Sequence, residues 1–204
     1  MNLRIGLIGA SRVATYAVIA PARTVDGLEV VAVAARDSER AANYARRHDI
    51  PRVHSGYADL CRDPEIDLVY IGTHPAVHRE LAFMALDAGK PVLLEKPFAM
   101  NAREARDILD RAEAAGVPVF EAMHSLHHPL FARLLELLRD DILGPITHLD
   151  AEFSVPIERN AREFRWRAEM GGGALMDLGI YPLAWARRGM WSCRSICAHS
   201  VARP

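Results

Sequence analysis

Lysine is almost missing from this chain: of 204 residues only Lys90 and Lys96 carry an ammonium, so each position can be weighed singly. Cysteine is scarce as well. Cys61, Cys193 and Cys197 are odd in number and lack C-x-x-C spacing, which argues against a disulfide framework or a zinc ribbon. A reducing compartment fits best, and no metal site is expected. No apolar run approaches the roughly 20 residues that span a bilayer. The first 20 residues have no basic stretch ahead of a continuous apolar one, and Arg12 interrupts them, so no signal peptide is read. A charge excess of one sign is lacking too. With a net charge of -1 and both signs scattered along the chain, nothing marks a nucleic-acid or anionic-membrane surface. These absences together predict a cytoplasmic protein with neither partner.

What remains is a globular composition, half hydrophobic and a quarter charged, which can bury a sizeable core. The length exceeds one typical domain and falls short of two. Residues 3–8 form a short apolar run ending in Gly9, and 13–20 reads as a helix stopped by Pro21. The near-continuous Val/Ala run 28–35 suits a strand buried on both faces, followed by a helix to about Arg47 capped by Asp37 or Ser38. Then come a strand at 67–72, a helix at 76–88 stopped by Gly89, a strand at 91–95, a helix capped by Asn101 and ended by Gly116, and a strand at 119–122. Strands alternating with helices specify βαβ units. The fold class is therefore α/β, with a doubly wound parallel sheet in residues 1–121. Residues 122–204 read differently: a helix at 129–138, a long strand at 146–155, a Gly171-Gly172-Gly173 turn, a helix at 174–188 and a last strand at 195–201.

Ligands of parallel α/β sheets bind at the carboxyl ends of the strands, and four such ends carry unusual residues. In the first, Gly9 permits a tight turn, Ala10 and Ser11 are small enough for a pyrophosphate to approach, and Arg12 and Val13 open the following helix. Ser11 and Ala14 stand where G-x-G-x-x-G has its later glycines, so a plain βα turn without ligand is an equal reading. At the second, Arg36 occupies the place where NAD-binding proteins carry an acidic residue, with Arg40 one turn on. Guanidinium there suits a 2'-phosphate, and two solvated arginines are the alternative. The third end is Thr73-His74-Pro75, with His78 following, which can line a nicotinamide-ribose pocket or leave His78 on a helix surface. The fourth, Glu95-Lys96-Pro97, puts an ionisable pair at the end of an apolar strand. Unpaired buried charge is costly, which favours a site over a surface ion pair.

The segments GLIGASRVA (6–14), VVAVAARDSERA (30–41), DLVYIGTHPAVHRE (67–80), AGKPVLLEKPFAMN (88–101), EAMHSLHHPLF (121–131) and GGGALMDLGIYPLAWAR (171–187) resemble, in order, those of the Gfo/Idh/MocA oxidoreductases. The resemblance implies an N-terminal Rossmann domain and a partial C-terminal α/β domain with a largely antiparallel sheet. It implies a catalytic lysine at Lys96, and it places Asp177 and Tyr181 at the family's Asp-x-x-x-His positions. Tyrosine at 181 is similar to the dihydrodiol dehydrogenase and glucose-fructose oxidoreductase branch, which prefers NADP. That agrees with Arg36, with NAD as the other option.

On a helix Asp177 and Tyr181 would share a face; an amphipathic helix with one polar position is the plain alternative. A free tyrosine has a pKa about three units above neutral, a deficit of roughly 4 kcal/mol for the phenolate, which a lysine cation lowers. The expectation is that Tyr181, with Lys96, exchanges a substrate hydroxyl proton, that Asp177 orients, and that His124 reaches the substrate. Substrates implied by the family are a sugar, a polyol or a dihydrodiol. Full-length relatives are expected to be homodimers and to run well past 300 residues, so this chain is expected to be truncated. Two other readings stay open, a non-catalytic NADP-binding protein and an NAD-dependent glycosidase of the same family.

Overall fold

A computed structural model of the chain describes residues 2–140, 142, 144, 146–160 and 163–192. Chain contacts divide it into two compact units, residues 1–122 with 169–171, and residues 123–168 with 172–204.

The first unit is built on six parallel strands: β1 (Leu3–Ile8), β2 (Leu28–Ala34), β3 (Arg52–Val53), β4 (Leu68–Ile71), β5 (Val92–Leu94) and β6 (Val119–Glu121). Their order across the sheet is β3-β2-β1-β4-β5-β6. The strands are apolar on both faces because helices cover both. Ile8, Ala34, Val69, Ile71, Val92 and Leu94 pack with Leu81, Ala85 and Leu86 of the His78–Asp87 helix and with Ile108 and Ala112 of the Ala102–Ala115 helix. On the opposite face Leu7, Val33 and Tyr70 pack with Ala14, Val18, Ile19 and Ala45. The expected local signals operate as caps. Asp37 accepts the Arg40 N–H and Asn101 accepts the Glu104 N–H, while Gly116 closes its helix in the left-handed conformation.

The first helix departs from expectation. It starts at Arg12 and runs through Pro21 to Ala22, by way of a π-helical stretch, Thr15–Ile19. Proline ends an ordinary α-helix because it lacks an N–H and its ring crowds the carbonyl four residues back. A π turn just before it shifts the hydrogen-bond register, and the helix continues. The short strand β3 and the Tyr57–Arg62 helix add to the elements read from the sequence.

In the second unit the Pro129–Arg139 helix forms as expected. Residues 146–155, expected as a strand, carry no ladder among the described residues. A strand is regular only where a neighbouring strand takes up its N–H and C=O groups. The helix expected over 174–188 is a π turn, Leu175–Gly179, continuing as an α-helix, Ile180–Ser192. The strand expected at 195–201 lies outside the described residues. No helix among the described residues is long and apolar enough to cross a membrane.

Candidate functional site

With β1 and β4 side by side at the centre of the sheet, the chain leaves β1 towards one edge and β4 towards the other. Between their carboxyl ends the loops part and leave a crevice. The residues after β1 are Gly9 to Val13 and those after β4 are Gly72 to His74, so the first and third candidate ends meet here. Gly9 has φ +100°, and a Cβ on it would sit 3.2 Å from Thr73 Cγ2 and 3.3 Å from the Gly72 oxygen. A Cβ on Gly72 would fall 2.6 Å from Tyr70 Cε1 and 2.8 Å from Ser11 Oγ. Gly9 is thus required by its backbone conformation and the approach of the Gly72 backbone, and Gly72 by the Tyr70 and Ser11 side chains.

The neighbouring helix holds the turn from behind. The Arg40 guanidinium donates to the Ala10 carbonyl at 2.8 Å, and the Tyr44 hydroxyl donates to the Ser11 carbonyl at 2.9 Å. Arg40 therefore supports the turn as well as standing near the end of β2. Ser11 caps the helix through its hydroxyl, accepting the Ala14 N–H. Arg12 and Val13 open that helix, whose first N–H groups are the ones a phosphate can use.

Arg36 stands exposed directly after Ala35, at the end of β2. The carboxylate of Asp37 is used as a helix cap. His74 is half-buried, and its pKa is lowered by desolvation and, secondarily, by the charge of Arg36. Thr73 Oγ1 is buried with no hydrogen-bond partner among the described residues, a donor that a bound group can satisfy.

His78 corrects one expectation. It is not on the helix surface: its side chain is wholly buried. Nδ1 lies 3.1 Å from the Pro97 carbonyl oxygen and Nε2 lies 3.1 Å from that of Thr73. Its ring lies between the turn after β4 and the turn after β5, and in the neutral form its single N–H donates to one of these two carbonyls. Burial outweighs these carbonyls and pushes its pKa down.

After β5, Glu95 is buried and accepts the Tyr70 hydroxyl at 2.8 Å on Oε1 and the Lys96 N–H at 3.1 Å on Oε2. Lys96 is half-buried and joined to Pro97 by a cis peptide bond. Across the turn the Phe98 N–H donates to Glu121 at the end of β6.

In the second unit, Asp177 sits buried in the π turn. It pairs with Arg165 Nε at 2.9 Å, and Arg165 also binds Glu163 at 2.8 Å. Tyr181 is buried in the first turn of the Ile180–Ser192 helix. It meets His124 edge-on at 5.6 Å between ring centroids and Phe153 at 5.3 Å. These three rings, with Ser125, Asp150 and Trp185, line a cavity of about 360 Å³. His124 and Tyr181 are thus brought together, whereas Asp177 is directed to Arg165.

Tyr70, Gly72 and Arg165 are the site residues that sequence reasoning missed. A hydroxyl in an otherwise apolar strand was the available signal for Tyr70. Arg165, in the turn before the triple glycine, offered none. Among the described residues no group of three or more His, Cys, Asp or Glu side chains is placed to hold a metal ion.

Comparison with known proteins adds the lineage. The family model described as an oxidoreductase family with an NAD-binding Rossmann fold matches residues 3–123, and the GFO/IDH/MocA C-terminal domain matches residues 131–203. The chain is 41% identical over 153 residues to a trans-1,2-dihydrobenzene-1,2-diol dehydrogenase of Xenopus laevis, covering 75% of this chain and 46% of that protein. To the Sus scrofa protein of the same name it is 36% identical over 184 residues, 90% of this chain and 54% of the relative. The chain thus spans about half the length of the curated relatives it matches. Among solved structures, the 3-ketoreductase KijD10 of Actinomadura kijaniata, in complex with NADP and TDP-benzene, superposes with a TM-score of 0.86 at 30% identity. That match covers 93% of this chain and 58% of the other.

Proposed function

Because the chain belongs to the GFO/IDH/MocA oxidoreductase family, we propose that it acts in hydride transfer between NADP(H) and a sugar, polyol or dihydrodiol-type substrate. The observation that carries this reading is the convergence of the Gly9 turn, Thr73 and the Glu95-Lys96 turn at the carboxyl edge of one sheet, beside its topological switch point.

The residues fit a dinucleotide. Gly9 and Gly72 let the turns after β1 and β4 pack closely, Ala10 and Ser11 carry small side chains, the start of the Arg12 helix suits the pyrophosphate, and Thr73 offers an unsatisfied hydroxyl. Arg36 favours NADP over NAD, since a guanidinium at the end of β2 suits the 2'-phosphate. The neighbouring carboxylate of Asp37 is engaged as a cap. When bound, the nicotinamide supplies or takes up the hydride.

The chain's own groups handle the proton and the orientation. Tyr181 is assigned the exchange of the substrate hydroxyl proton, Lys96 the cation that favours it, Asp177 an orienting role, and His124 contact with substrate. The aromatic cavity around Tyr181 and His124 supports the last assignment. Residues 1–121 form the cofactor-binding domain in this reading. Residues 122–204 belong to part of a substrate and oligomerisation domain with a largely antiparallel sheet, in a cytoplasmic protein whose full-length relatives are expected to be homodimers.

The test joins binding to turnover. NADPH and NADH dissociation constants are measured by fluorescence, and oxidation of NADPH is followed with sugar-derived and aromatic ketones, with dihydrodiols assayed in reverse. Lys96→Met and Tyr181→Phe are expected to abolish turnover and leave NADPH binding intact. Full turnover in either variant removes the residue from the mechanism, and binding without turnover in the parent chain leaves a cofactor-binding protein.

A further inference from the structure

Tyr70 is an anomaly in its strand. β4 runs through the middle of the sheet and is otherwise aliphatic, and the Tyr70 side chain is wholly buried in the cluster with Leu7 and Val33. A phenylalanine would fill the same space beneath Gly72. A hydroxyl there costs desolvation unless it is bonded. It is bonded to Glu95, and the geometry of the sheet explains how. Tyr70 stands opposite Leu93 in the parallel register, and side chains two apart on a strand share a face. Glu95, two residues beyond Leu93, therefore emerges on the tyrosine's side at the carboxyl edge.

The carboxylate then bridges two groups. Oε1 takes the Tyr70 hydroxyl at 2.8 Å and Oε2 takes the Lys96 N–H at 3.1 Å. Burial and the adjacent negative charge both push the phenol pKa upward, so Tyr70 keeps its proton and remains a donor.

We infer that Tyr70 is a positioning residue of the Lys96 turn: its hydroxyl orients the Glu95 carboxylate, and Glu95, through the Lys96 N–H, fixes the main chain from which the Lys96 amine is presented. The consequence for activity rests on the oxidoreductase reading above; the structural coupling does not.

The scarcity of lysine makes this measurable. Reductive ¹³C-methylation labels Lys90, Lys96 and the N-terminal amine, and Lys96→Arg identifies the Lys96 resonance. Lys90 serves as the internal reference, because its amine donates to the carbonyls of Asp63 and Ile66 at 2.9 and 2.7 Å, at the opposite end of the strands. In Tyr70→Phe the Lys96 resonance is expected to move while that of Lys90 stays. Glu95→Gln should displace it too, and combining the two changes should add nothing, because both break one chain of contacts. In turnover, Tyr70→Phe is expected to lower kcat about tenfold with KM for NADPH little changed, the pattern of a lost transition-state interaction.

A folded Tyr70→Phe protein with an unmoved Lys96 resonance, or additive effects of the two changes, overturns the inference. If Tyr70→Phe does not fold, Glu95→Gln alone decides by the same resonance. If the parent chain has no turnover at all, the oxidoreductase reading fails, and the resonance still answers for Tyr70.

Discussion

Arg36 and His78 show how differently two polar residues at strand ends are used. Arg36 is exposed at the end of β2 and is the feature that points to a 2'-phosphate. Charge-assisted hydrogen bonds contribute about 1.5–3 kcal/mol each. Arg36→Ala should therefore raise the NADPH dissociation constant by about tenfold or more and leave that of NADH nearly unchanged; an unchanged ratio of the two, read by fluorescence titration, removes Arg36 from the phosphate role. His78 was expected beside the cofactor and is instead buried between the carbonyls of Thr73 and Pro97. Its loss orphans a buried acceptor, at about 1–3 kcal/mol, and leaves the space of the ring to be refilled. His78→Leu should accordingly lower the urea midpoint of unfolding by an amount equivalent to about 2 kcal/mol or more, and a midpoint equal to that of the parent would show that the imidazole ties nothing together. A sequence marks such a residue as polar near a strand end. Which way its ring turns is fixed by neighbours 5 and 19 residues away.

Among the elements, the two π turns stand out because each precedes a proline that would otherwise break a helix. Thr15–Ile19 leads to Pro21, and Leu175–Gly179 leads to Pro182. The second turn holds Asp177 towards Arg165, and the triple glycine makes that pairing accessible. The Gly172 N–H donates to the Arg167 carbonyl and the Gly173 N–H to that of Arg165, clasping the Phe164–Trp166 turn. A Cβ on Gly172 would lie 2.5 Å from the Phe164 oxygen and 2.6 Å from the Arg165 oxygen. Backbone cannot retreat as a flexible side chain can. Gly172→Ala should destabilise the unit by roughly 2 kcal/mol or more, at the upper end of ordinary single substitutions. Gly173→Ala meets no atom within 4 Å but has φ +121°, so it should cost about 1–2 kcal/mol from backbone strain alone. Thermal melts of the two variants check the ranking, and equal losses would mean that the clasp is not tight.

For the whole molecule the acid response begins with three histidines of one tendency. His48, His74 and His78 all have pKa values lowered chiefly by desolvation. The unfolded chain thus binds more protons than the folded one between the folded values and about 6.5, and stability falls as pH drops through that window. Asp67, held down to about 2 by hydrogen bonds from Arg4, and Asp63, also lowered, act further down the scale. Their contribution is complete above about pH 4 and is lost as pH falls towards 2. The melting temperature should therefore decline in two stages as pH falls below about 6.5. A flat profile from neutral pH to about 5 would contradict the histidine stage. At this same scale the share of sequence and structure can be separated. Sequence alone determined what local chemistry dictates: the alternation of buried strands and helices, the Asp37 and Asn101 caps, the Gly9 and Gly116 turns and the Glu95-Lys96 pair at a strand end. Helix bonds and caps reach only a few residues, so they are written in short windows. Strand order and side-chain destinations depend on partners far along the chain. Only the tertiary structure decided that β1 lies beside β4, that the Tyr70 hydroxyl meets Glu95, that Asp177 meets Arg165, and that residues 146–155 form no ladder among the described residues.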